Sequence, residues 1–183
     1  MSTSNRILIC VATASLLVAC ATSMNRSQAP SHGPNLGRVV SAQDITHWDI
    51  SIPPIGTGLP PGSGSVKQGE AVYIAKCQAC HGDKGIGKPA EALVGGIGTL
   101  TSDNPVRTIG SYWPYATTLF DYVRRAMPTN APMSLSDHEV YAVSAYLLHL
   151  NGIVPESAVM DAQSLPKVQM PNRGGFVDYS RKD

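Results

Sequence analysis

The sequence predicts an all-α domain of three to four helices closed around one covalently bound group, with an irregular N-terminal arm and a C-terminal tail. Three observations carry this. Apolar residues recur with helical spacing on both sides of a Cys-x-x-Cys-His pentapeptide, Cys77-Gln78-Ala79-Cys80-His81. The 17 glycines and 14 prolines concentrate outside those periodic stretches, in segments with no regular pattern. Hydrophobic content is 43% but aromatics are only 6%, a balance that suits one small core completed by a bound macrocycle.

Two thiols three positions apart, followed at once by an imidazole, have the spacing that attaches a c-type haem. The cysteines add across the two vinyl groups, and His81 is placed to bind iron on one face. A zinc site would need a second pair of nitrogen or sulfur ligands at matching spacing. None exists, because the other cysteines, Cys10 and Cys20, lie in the first twenty residues. A thioredoxin-like pair would want a strand before it and a use for the histidine, and the sequence offers neither.

At 183 residues the chain holds one domain with tails, and a net charge of +1 argues against a nucleic-acid partner. Arg6 precedes an uncharged run from Ile7 to Ala19, too short to span a bilayer and suited to a signal peptide covering residues 1–19. It ends Leu17-Val18-Ala19-Cys20, which resembles a lipobox, so Cys20 is expected to carry lipid. Ordinary cleavage at Ala19-Cys20-Ala21 is the alternative. Either route places the domain on the periplasmic side, and lipidation would make it a membrane-anchored lipoprotein.

Residues 20–44 read as a flexible tether, and 45–183 as the haem domain with its arm and tail. His32 and His47 lie in the polar region and are expected to be solvated.

The first helix is expected over Ser65 to Cys77, with Val66, Gly69, Val72, Tyr73 and Cys77 on one face. Gly69 costs about 1 kcal/mol there relative to alanine, so a second helix should cross it closely. That partner is Ser136 to Leu150, opened by a Ser136/Glu139 capping box and ended by Asn151-Gly152. Its stripe of Val140, Val143, Tyr146, Leu147 and Leu150 would set Tyr146 against Gly69 and Tyr73. The glycine-dense loop from Gly82 to Gly98 should wrap the haem, and a carbonyl between Pro89 and Leu93 should accept a hydrogen bond from His81 Nδ1. A further helix is expected over Ala116 to Ala126, with Leu119, Tyr122, Val123 and Ala126 inward, broken before Pro128.

An electron carrier holds iron on both faces. Met127, at a helix end beside Pro128, is the expected distal ligand, with Met133 in the same loop as the alternative. His138 and His149 sit on the last helix and suit solvated or core roles, while Met160 and Met170 suit packing.

Several runs are more specific than Cys-x-x-Cys-His. They are Gly58-Leu59-Pro60-Pro61-Gly62-Ser63-Gly64, Gln68-Gly69-Glu70-Ala71-Val72-Tyr73, the stretch from Gly110 to Tyr122, Arg124-Arg125-Ala126-Met127-Pro128 and Met170-Pro171-Asn172-Arg173. Together they resemble the cytochrome subunits of bacterial sulfite dehydrogenases, including the cytochrome half of the sulfane dehydrogenase of sulfur-oxidising systems, over roughly residues 45–177. The resemblance implies a class I cytochrome c fold and a distal ligand in the motif matched by Met127; some members of that family carry a second haem domain, whereas the single motif here implies one haem c. It also implies a molybdenum-cofactor subunit as redox partner, delivering electrons singly for passage to a respiratory acceptor. The chain would then be a non-catalytic electron-transfer protein or subunit. The alternatives are a haem enzyme acting directly on a sulfur compound and a general respiratory shuttle with another donor. Tyr112, Trp113 and Tyr115 could line the haem, hydrogen-bond a propionate or pack in the core, and Arg124 and Arg125 could pair with propionates or an acidic partner patch, with a solvated helix face as the default.

Overall fold

Residues 37–46 and 48–178 are described in a computed structural model of the chain. The expected signal segment 1–19, Cys10, Cys20, His32, His47 and most of the expected tether lie outside those residues. The chain divides into two units, 1–44 and 45–183. In the first, Asp44 accepts from the Ser41 amide at 2.9 Å and from Arg38 at 3.3 Å, and these bonds, the Ser41 backbone first, hold its carboxyl below the ordinary range. A short helix, α1 (Ala42–Thr46), runs across the boundary.

In the second unit the arm leads into strand β1 (Ser63–Ser65) and helix α2 (Val66–Lys76). Ser65 caps α2 in a box with Gln68: each side chain reaches the other residue's amide. One further helical turn, α3 (Gln78–His81), carries the cysteine-histidine motif. Helices α4 (Ala116–Ala126) and α5 (Asp137–Leu150) follow, the latter opened by the Ser136/Glu139 capping box. Strand β2 (Val159–Asp161) returns antiparallel to β1, pairing Ser63 with Asp161, Gly64 with Met160 and Ser65 with Val159.

The architecture is mostly helical, as the sequence implies, but not all-α. The β1–β2 ribbon is the correction. Three-residue strands are too short to show alternation, and Gly64 belongs to this one because its backbone lies against Ala142 of α5, where a Cβ would collide with backbone atoms. Gly69 does the same one turn into α2. A Cβ there would strike the Ala142 carbonyl and stand 2.8 Å from Tyr146 Cβ. The missing side chains let α2 and α5 cross at backbone contact, and Tyr73 packs on Tyr146 with ring centroids 5.4 Å apart.

The core grows outward from this crossing through Val66, Val140, Val143, Leu147 and Leu148 to Leu119, Phe120 and Val123 of α4. Phe120 stacks on Tyr141 at 4.5 Å. The inward face of α4 is Ala116, Leu119, Phe120 and Val123, rotated from the expected one. Tyr122 stays 44% exposed, with Trp113 edge-on to its ring at 5.5 Å.

The arm is irregular but pinned. The Ile52 amide donates to buried Asp121 at 2.8 Å, Thr117 Oγ1 donates to the Pro54 carbonyl at 3.0 Å, and the Tyr141 hydroxyl donates to the Pro60 carbonyl at 2.9 Å. Both arginines of α4 are occupied by carboxylates of this chain. Arg124 pairs with Asp137 at 3.2 Å and Arg125 with Asp121, and Arg125 stays exposed on the helix surface. No helix among the described residues is long and apolar enough to cross a membrane.

Lys76 closes the crossing from outside through a 2.8 Å ion pair with Glu139. Lys76 first, and the Ser136 amide next, hold the Glu139 carboxyl down at about 2 from an ordinary 4.5. The stabilisation is complete above pH 4.5 and is lost as pH falls through about 2. Glu139→Gln is expected to cost about 1 kcal/mol at neutral pH, a small figure because the pair is partly wet. The deficit should shrink toward zero in urea melts run down that acid range.

Candidate cofactor site

Every element around Cys77, Cys80 and His81 has the effect of fixing the backbone and leaving the three side chains available. The Cys77 carbonyl accepts from the amides of Cys80 at 3.1 Å and His81 at 3.0 Å, which makes the turn. The glycine loop then folds back on it. The Cys80 carbonyl accepts from the Ala90 amide at 2.8 Å, and the His81 carbonyl accepts from the Gly87 amide at 2.8 Å. Gly82, at φ +77°, permits this reversal, because a Cβ there would strike the Gly87 carbonyl. Tyr73 locks the corner from the core side, its hydroxyl donating to the Gly82 carbonyl at 2.8 Å. Burial pushes that phenol up to about 12.

His81 Nδ1 lies 3.0 Å from the Glu91 carbonyl. A carbonyl only accepts, so Nδ1 carries the proton and donates, and Nε2 keeps its lone pair for a metal. The accepting carbonyl falls within the stretch expected from the sequence. Cys77 and Cys80 are not joined to each other in a disulfide. Burial raises the Cys77 thiol to about 11, the reverse of the lowered value that makes a dithiol a redox catalyst. Among the described residues no cluster of three or more His, Cys, Asp and Glu could hold a bare metal ion.

The core is edged by apolar side chains that are only partly buried. Leu93, Trp113 and Met127 pack on the core from its edge. Leu93 is bound to the motif's own loop, its amide donating to the Gly85 carbonyl at 2.8 Å. Met127 ends α4, its amide donating to the Val123 carbonyl at 3.1 Å. Two cysteines one turn apart and an imidazole whose Nδ1 is held by the Glu91 carbonyl fit a haem c bound by Cys77, Cys80 and His81.

The other sulfur and imidazole candidates each have their own surroundings. Met133 is 61% exposed and lines a surface pocket with Ile50, Arg124 and Asp137. Met160 and Met170 are buried packing residues. His138 Nδ1 sits 2.8 Å from the Ser63 carbonyl, bracing β1, and His149 Nδ1 sits 3.2 Å from the Val154 carbonyl.

Asn151 was legible only as a helix stop, yet it supports the site. Its Nδ2 donates to the carbonyls of Leu147 at 2.8 Å and Leu93 at 3.2 Å, joining the end of α5 to the motif's loop. Asn151→Ala is expected to cost about 1–3 kcal/mol, because it strands buried loop groups. Hydrogen exchange should rise at residues 91–95 before it rises in α5.

Helices crossing at a glycine, a thiol-thiol-imidazole turn and a loop holding the imidazole define a cytochrome c. The family model "Cytochrome C oxidase, cbb3-type, subunit III" matches residues 64–147, from β1 to the last turns of α5. No match is found among curated protein sequences. Among solved structures, a chain of the sulfane dehydrogenase SoxCD from Paracoccus pantotrophus is similar at 42% identity with a TM-score of 0.74, over 79% of this chain and 72% of that one. The protein belongs to the cytochrome c family of that sulfane dehydrogenase chain, and its role is electron transfer.

Proposed function

We propose that the protein carries one haem c, which Cys77 and Cys80 would hold through their sulfurs and whose iron His81 Nε2 and Met127 Sδ would bind. We further propose that it accepts single electrons from a molybdenum-cofactor dehydrogenase subunit acting on a sulfur compound and passes them to a respiratory acceptor. It would work outside the cytoplasm, tethered by lipid on Cys20. The observation that carries the site is the His81 Nδ1 to Glu91 bond, which commits the imidazole to present Nε2. The likeness to a SoxCD chain at 42% identity supports the donor class.

A haem iron held at this position supplies reversible one-electron exchange between ferric and ferrous states. The chain's own residues do the rest. The Glu91 carbonyl keeps the imidazole from rotating, and Leu93 and Trp113 exclude water from the apolar edge. Met127 offers a soft thioether from a helix end anchored by Val123 and Phe120. Met127 is preferred to Met133 because it packs against the core while Met133 points to solvent over the arm.

The test is the ferric spectrum. Met127→Ala is expected to lose the weak far-red band of methionine-ligated ferric haem, and Met133→Ala to keep it. The reverse outcome would transfer the assignment to Met133.

A further inference from the structure

The described residues include five arginines, and their pairing divides them. Arg38, Arg124 and Arg125 each contact a carboxylate of this chain. Arg107 and Arg173 make no such pair among the described residues. They stack instead on two tyrosines of one four-residue stretch. The Arg107 guanidinium lies 5.6 Å from the centre of the Tyr112 ring, and that of Arg173 lies 4.8 Å from the centre of the Tyr115 ring.

The C-terminal segment makes this a built surface. Met170 is buried, Asn172 Nδ2 donates to the Tyr112 carbonyl at 2.7 Å, and Phe176 sets its ring edge-on to Tyr112 at 5.2 Å. Phe176 is nevertheless 52% exposed. A guanidinium over an aromatic ring keeps N–H donors available for a carboxylate. Arginine, tyrosine and phenylalanine held rigid at the surface are the residue types that concentrate binding energy in protein interfaces.

We infer that Arg107, Tyr112, Tyr115, Arg173 and Phe176 form a docking surface for a protein partner that presents carboxylates around an apolar contact. The inference rests on the electron-transfer reading only for the reason a partner must dock. An anionic membrane fits less well, because two cationic side chains raise partition onto an anionic bilayer by only about thirtyfold.

The test titrates the purified full-length protein with hexaglutamate, following backbone amide resonances. Shifts are expected at residues 107, 112–115 and 172–176, fading with added salt. Affinity should fall about tenfold in Arg107→Gln/Arg173→Gln, and less in Arg173→Gln alone, the fallback if the double variant does not fold. Shifts located elsewhere, or equal affinity in wild type and variant, would overturn the inference. So would binding to phosphatidylglycerol vesicles without a response to the peptide. The readout does not depend on the cofactor, so colourless protein would count against the proposed function while the titration still decided this surface.

Discussion

Cys77→Ser/Cys80→Ser is expected to give protein with no pigment that survives denaturation, and to lose much of its stability. Serine keeps the size of cysteine but cannot form a thioether, so the substitution removes the bond and little else. The half-covered edge of Leu93, Trp113 and Met127 would then meet water. Each large apolar side chain left uncovered forfeits roughly 1.5–3 kcal/mol, and a domain of this size has only about 5–15 kcal/mol in total. Haem staining after denaturing electrophoresis reads the first effect and a urea melt reads the second. A pigment that stays bound through denaturant in the double variant would refute covalent attachment by these two residues. Cys80→Ser alone should keep a single bond through Cys77 and lose less.

Gly69→Val should be nearly as damaging, by a different route. The added carbons are directed at the Ala142 carbonyl and Tyr146 Cβ, neither of which is the far end of a flexible side chain. Helices α2 and α5 must therefore move apart, and the Tyr73–Tyr146 contact and the Lys76–Glu139 pair go with them. Overpacking of this kind costs about 1–3 kcal/mol where side chains can yield, and more is expected where backbone is struck. Gly174→Ala, where a Cβ meets only open space, is the control and should be neutral. Comparable thermal midpoints for the two variants would mean the helices do not depend on close approach at Gly69.

The sequence showed the parts of this molecule that announce themselves locally. The Ser136/Glu139 box starts a helix wherever it stands, and Gly69 in an otherwise good helix required a close neighbour. The His81 bond to the loop was legible because a ligating imidazole needs its other nitrogen held. What stayed hidden depends on partners far along the chain. Asp121 is an ordinary surface-type residue until the Ile52 amide meets it. Asn151 resembles any helix stop until Leu93 and Gly95 arrive. Tyr122 was expected inside because spacing cannot tell which of two adjacent faces the core will take. Phe120 won that place by stacking on Tyr141.

Ala142 receives both Gly64 and Gly69, so one residue late in the chain completes the strand and the helix that precede the cysteines. During synthesis, which runs from the N-terminus, the thiols at 77 and 80 exist well before the segment that seals the fold. On the attachment proposed above, the polypeptide has an open interval in which both sulfurs are reachable for joining to a porphyrin. Shutting that window is the job of the last helix, and its lateness makes the order of assembly a property of the primary structure.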